Sequence, residues 1–121
     1  MLNLDSHMIV FLLAGELTQE ELKILESEDL AISDIVLWEL AKLIQSKRLE
    51  LDLSSEAFRN LLLNLTVYAI SLPIATTSTK LDFKGDPADQ IIGATSVVEG
   101  IPLLTRDRSI RKSKIVPLAH G

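Results

Sequence analysis

The chain has 121 residues, of which 47% are hydrophobic and none is cysteine. That is enough apolar material for one continuous core, and it excludes disulfides and thiolate metal sites, so a reducing cytoplasm is the expected compartment. Twelve Lys and Arg against seventeen Asp and Glu leave a formal charge of −5, which argues against binding nucleic acid through a broad basic surface.

Leu2-Asn3-Leu4 is expected as a short strand, followed by a helix from Ser6 to Ala14 that Gly15 stops. Met8 to Ala14 is apolar but too short to cross a bilayer, with no basic residue ahead of it and no small-residue cleavage site. It reads as a core helix, and no membrane association is expected. Thr18 with Glu21 is a capping box for a second helix to about Ser27, and Leu30-Ala31-Ile32 reads as a second buried strand. Ser33 then caps a long helix to about Lys47. Ser54 to Leu65 reads as another helix, Val67 to Ile70 as a strand, and Pro73 to Leu81 as a further helix.

Asp86-Pro87-Ala88-Asp89 is a helix start, with Asp86 as N-cap and Pro87 at the first helical position, where its missing N–H costs nothing. Gly100 ends that helix. Pro102 to Thr105 is expected as a strand and Ile115-Val116 as a last one at the edge. Short apolar strands alternating with helices imply an α/β fold: one domain over residues 1–121, with a central, mostly parallel sheet of four to five short strands and helices on both faces. The sequence contains no repeat, linker or low-complexity tract.

Ligands of open parallel sheets bind beyond the carboxyl ends of the strands. Asp5 follows the first strand and Asp107 the late one, while Asp89 lies in the first turn of the helix that feeds the latter. Glu39 lies about two turns into the helix after the second strand. Each acid also has a local explanation: Asp5 and Asp107 as caps, Asp89 as a carboxylate favoured by the helix dipole. Glu39 interrupts the apolar run Ile35 to Ala41, where an unpartnered buried carboxylate is costly or protonates. Either Lys42 pairs with it at the surface, or it faces an interior cleft where a cation offsets its charge. Four acids with only His7 and His120 as imidazoles make an oxygen-only set, suited to Mg²⁺ or Mn²⁺ rather than zinc. Arg106, Arg108, Arg111, Lys112 and Lys114 crowd one segment near the C-terminus, either as a local phosphate contact or as a solvated basic face.

"LDSH" at Leu4 to His7, "ISDIVLWELAKLIQSKRLEL" at Ile32 to Leu51, "FKGDPADQIIGATS" at Phe83 to Ser96 and "PLLTRDRSI" at Pro102 to Ile110 together resemble the PIN-domain family, most closely the VapC-like toxins of prokaryotic toxin–antitoxin pairs. The resemblance implies a single PIN-like domain and a Mg²⁺- or Mn²⁺-dependent endoribonuclease. It carries the acidic cluster onto Asp5, Glu39, Asp89 and Asp107, with Asp5 and Asp89 as main metal ligands and Glu39 and Asp107 binding directly or through water. It gives Ser6 and Thr105 supporting roles in orienting ligands or water; from the basic segment near the C-terminus, Arg106 and Arg108 are the expected RNA-binding residues if that segment meets phosphate. The resemblance further implies an RNA substrate, a small antitoxin partner and a homodimer, with Trp38 and the first two helices near the antitoxin groove; by helical spacing alone Trp38 reads as core. Gln90 stands where relatives commonly have Arg, and Ser6 where they often have Thr. His7 fits the family motif but reads as structural.

Other functions fit less well. A non-catalytic PIN-like module binding RNA or protein would be favoured by loss of an acid, and none is lost; a metal-dependent nuclease acting on DNA is a closer variant. A phosphoryl-accepting receiver domain would need a second acid beside Asp5 and a lysine after a late strand. No glycine-rich phosphate loop is present.

Overall fold

The structure, a computed structural model, describes residues 1–120. In chain order the elements are β1 (Leu2–Leu4), α1 (Ser6–Ala14), α2 (Gln19–Glu26), β2 (Leu30–Ser33), α3 (Ile35–Gln45), α4 (Glu56–Leu63), β3 (Leu65–Tyr68), α5 (Leu72–Ser78), α6 (Pro87–Glu99), β4 (Leu103–Leu104) and α7 (Arg108–Arg111). The four strands form one sheet in the order β3-β2-β1-β4, and every neighbouring pair is parallel. Four short parallel strands match the expected sheet. No described helix is long and apolar enough to cross a membrane.

Strand order explains the burial pattern. β1 is flanked on both sides, pairing Leu2 with Leu30 and Asn3 with Leu103, and all three of its residues are buried. β3 lies at the edge, and its Val67 is half-exposed. From β1 the chain steps to β2 and β3, then crosses back to place β4 on the other side of β1. The direction of winding therefore reverses between β1 and β4, where such sheets open a crevice at their carboxyl ends.

Local chemistry sets the helix ends. Thr18 and Glu21 form the expected reciprocal capping box. Gly15 and Gly100 end α1 and α6 at φ 70° and 67°, in the left-handed region that a side chain would penalise. Leu2, Leu4, Met8, Ile9, Ile32, Val36, Leu40, Ile92, Leu103 and Ile110 are essentially inaccessible and build one core between sheet and helices.

Three expectations are corrected. Ile115-Val116 is not a strand: Ser113 Oγ accepts the Ile115 and Val116 N–H groups, and Asp82 accepts that of Lys114, so these amides are spent in a turn. The chain instead reaches β4 by a bridge at Leu118. Asp86 holds the N-cap position of α6, but its side chain makes no capping bond. Trp38 is not core; it is 55% exposed. Several boundaries also move: Asp34 rather than Ser33 is the N-cap of α3, with Ser33 Oγ accepting the Ile35 N–H, the strand expected from Val67 begins at Leu65, in register with Leu30, and the helix expected to reach Leu81 ends at Ser78.

Candidate active site

Asp5, Glu39, Asp89 and Asp107 all line one cavity of about 300 Å³, together with His7, Phe11, Asp86 and Arg106. The four acids come from separate segments: the β1–α1 junction, α3, the first turn of α6, and the turn between β4 and α7. The caps and the cavity use the same side chains. Asp5 Oδ1 accepts the Met8 N–H at 3.0 Å, capping α1, while Oδ2 accepts from the Thr105 hydroxyl across the β1–β4 crevice. Asp107 Oδ1 likewise caps α7 through the Ile110 N–H at 3.1 Å, and its own N–H donates to Thr105 Oγ1 at 3.0 Å. Capping and a place in the site are thus combined at both positions.

Glu39 does not pair with Lys42, whose ammonium bonds Gln45 and lies over the Trp38 ring. Its carboxylate accepts from the Ser6 hydroxyl and faces the cavity. Ser6 and Thr105, both buried, therefore each hold one acid in place.

The electrostatics record unbalanced negative charge. Burial pushes the Asp89 carboxyl up to about 6, helped by repulsion from Glu39, Asp107, Asp86 and Asp5. Burial also raises Asp5, against the opposing effects of its bonds to Thr105 and Met8. Asp86 thus adds charge to the cavity instead of capping α6.

Arg106, although partly exposed, is engaged by the chain itself. Its guanidinium grips both Glu21 oxygens at 2.9 and 2.7 Å, donates to the Glu16 carbonyl at 3.0 Å, and stacks on Phe11 with 3.9 Å to the ring centroid. Glu21, buried and already closing the α2 capping box, is held by this grip well below the usual carboxylate range, at about 2. Arg108 stands exposed on α7, outside the cavity lining.

Sequence reasoning missed Glu21 as Arg106's partner and Asn3 as a tether. Asn3 Nδ2 donates to the Ile92 carbonyl at 3.1 Å and to Ser96 Oγ at 2.9 Å, fastening β1 to α6 and so fixing Asp5 relative to Asp89. Its Oδ1 is buried without a partner, at a typical cost of about 1–3 kcal/mol. A polar residue at the centre of an apolar strand was the available signal.

The donor set fits a hard divalent cation: the acids supply oxygen ligands, no thiolate is present, and repulsion among them would be relieved by positive charge. Asp5, Asp89, Glu39 and Asp107 are the residues that would hold it. The carboxylates of Asp5, Glu39 and Asp107 are tied to hydroxyls or helix caps instead of being drawn onto one point, and no group of three acidic or imidazole side chains among the described residues is already closed into a ligand cluster.

The PIN-domain model matches residues 3–115. The chain belongs to the PIN-domain family. Ribonuclease VapC22 of Mycobacterium tuberculosis is 32% identical over 91 residues, covering 73% of this chain and 70% of that one. Among solved structures, a toxin–antitoxin complex from Klebsiella pneumoniae superposes with a TM-score of 0.75 at 23% identity, covering 98% of this chain and 97% of the other. VapBC2 from Rickettsia felis, bound to a DNA fragment from its promoter, gives 0.74 at 18% identity, covering 100% and 99%. The structural likenesses establish the PIN fold, and in this chain the acidic cavity lies beyond the carboxyl ends of β1 and β4.

Proposed function

We propose that this PIN domain is a VapC-like endoribonuclease, the toxin of a toxin–antitoxin pair, and that Mg²⁺ or Mn²⁺ supports its hydrolysis of RNA phosphodiester bonds. The observation that carries the reading is the convergence of Asp5, Glu39, Asp89 and Asp107 on one cavity at the winding reversal. The 32% identity to a ribonuclease supports it.

When bound, such a cation lowers the pKa of a water and neutralises charge on phosphoryl oxygens. The residues provide the frame. Thr105 and the Met8 N–H fix both oxygens of Asp5, Ser6 orients Glu39, and the α7 cap fixes Asp107. Arg108, exposed beside Asp107, is free to meet a phosphate, whereas Arg106 acts mainly by locking the segment between Thr105 and Asp107 to α2. A small antitoxin, a homodimer and a cytoplasmic setting belong to the same reading, which the toxin–antitoxin complexes among the structural relatives support for the antitoxin.

The test is cleavage of RNA by the purified protein. Activity is expected with Mg²⁺ or Mn²⁺ and is expected to stop in excess chelator, while Asp5→Asn and Asp89→Asn each abolish it. Cleavage undiminished in chelator, or retained by both variants, contradicts the reading.

A further inference from the structure

A second cavity of about 430 Å³ adjoins the acidic one and shares His7, Glu39 and Asp86 with it. Its other lining includes Trp38, Lys42 and Arg48. Trp38 and Lys42 lie one turn apart on the same side of α3, with the Lys42 ammonium 5.6 Å from the indole centroid. Past the end of α3, Lys47 takes a φ of 62° and the Arg48 N–H donates back to Leu43 O at 2.9 Å, a turn that returns Arg48 to the same cavity. An indole carries the largest apolar surface a side chain offers. Here the chain's only tryptophan is left 55% exposed in the cavity that adjoins the acids.

An exposed aromatic flanked by cations, in a chain of net charge −5, is the combination with which proteins hold single-stranded nucleic acid: bases stack on the ring and cations meet the phosphates. We propose that this cavity is a base-stacking subsite for single-stranded RNA, in which a nucleobase near the scissile phosphate lies on Trp38 and Lys42 and Arg48 contact the backbone. The inference deepens the ribonuclease reading and rests on it for the direction of the strand, which continues past Glu39 into the acids. Every base has a stacking face, so the subsite selects unpaired over duplex RNA and not one base over another.

Because Trp38 is the only tryptophan, its fluorescence reports this cavity alone. The experiment titrates the full chain, in chelator to prevent cleavage, with a 12-nucleotide oligoadenylate. Quenching of the indole is expected, and by anisotropy of an end-labelled oligoadenylate Trp38→Ala should bind roughly 5- to 150-fold more weakly and Trp38→Phe by less. Lys42→Ala and Arg48→Ala should each make the slope of log affinity against log salt shallower by about 0.7. The exposed position predicts an unchanged melting temperature for Trp38→Ala, which separates lost stacking from lost folding. Binding that leaves the indole unquenched and is equal in Trp38→Ala overturns the proposal, as does an indole that responds to a protein partner and not to the oligonucleotide. Wild-type cleavage by Trp38→Ala would remove the subsite and leave the nuclease reading standing; quenching by a wild-type protein that cleaves nothing in Mn²⁺ would do the reverse.

Discussion

Asp89 sits in the first turn of α6, where a carboxylate ordinarily gains from the helix dipole, yet burial and four neighbouring acids raise its pKa to about 6. Its sign is therefore opposite to that of Glu21. A carboxyl whose folded pKa exceeds its unfolded value of about 3.8 costs stability in full above pH 6, and the cost is relieved as pH falls from 6 toward 3.8. Glu21, lowered to about 2, contributes stability that is complete above 4.5 and is lost as pH falls from there toward 2. Without metal, melting temperature should rise as pH falls from 7.5 to about 5 and drop again below about 4. Melts across that range check it, and Asp89→Asn should flatten the upper limb and leave the lower one unchanged. At this scale the sequence was informative about which acids share the cavity, because each stood at a strand end, in the first turn of a helix or inside an apolar run. It was uninformative about Asp86, since Asp-Pro reads as a cap whether or not the side chain turns inward to bond.

At the scale of elements, the clamp between Arg106 and Glu21 joins the end of β4 to α2 across 85 residues of sequence. β4 has only two residues, so its carboxyl end, with Thr105 and Asp107, relies on such ties. Glu21→Ala removes both the capping-box partner and the guanidinium's acceptor. We expect a loss of about 1–2 kcal/mol, since Arg106 is itself 37% exposed and water screens part of the pair. A drop in kcat should accompany it as Thr105 and Asp107 loosen. Urea unfolding and initial cleavage rates measure the two, and a variant unchanged in both would show the clamp to be incidental. The helices were legible because capping boxes, Pro at the first position and terminal Gly are local signals. Long-range features were not: Thr18 with Glu21 is visible in four residues, whereas Arg106 as the second partner depends on how the sheet brings α2 and β4 together. Ile115-Val116 has strand composition, but Ser113 and Asp82 claim its amides. α3 carries apolar residues on most of its circumference, so the sequence could not show that Trp38 faces out.

For the molecule as a whole, the strand order β3-β2-β1-β4 creates one reversal, and that reversal gathers residues from Asp5 to Asp107 into a single acidic cavity in a chain already at −5. The fold class and the order of motifs were legible because alternating strands and helices admit few right-handed, parallel arrangements. What required the structure was the placement of Glu39, two turns into its helix, against Ser6. If the four carboxylates do form one cation site, apo protein is strained by their repulsion, and a cation that binds only the folded state stabilises it by mass action. The most direct measurement is a pair of thermal melts, wild type and Asp89→Asn, each in chelator and in Mg²⁺ or Mn²⁺. In chelator the variant should melt at or above the wild-type temperature, and metal should raise the wild type by several degrees while barely moving the variant. A variant destabilised equally in both buffers, with a wild type indifferent to metal, would make Asp89 a helix-dipole carboxylate and contradict the shared site.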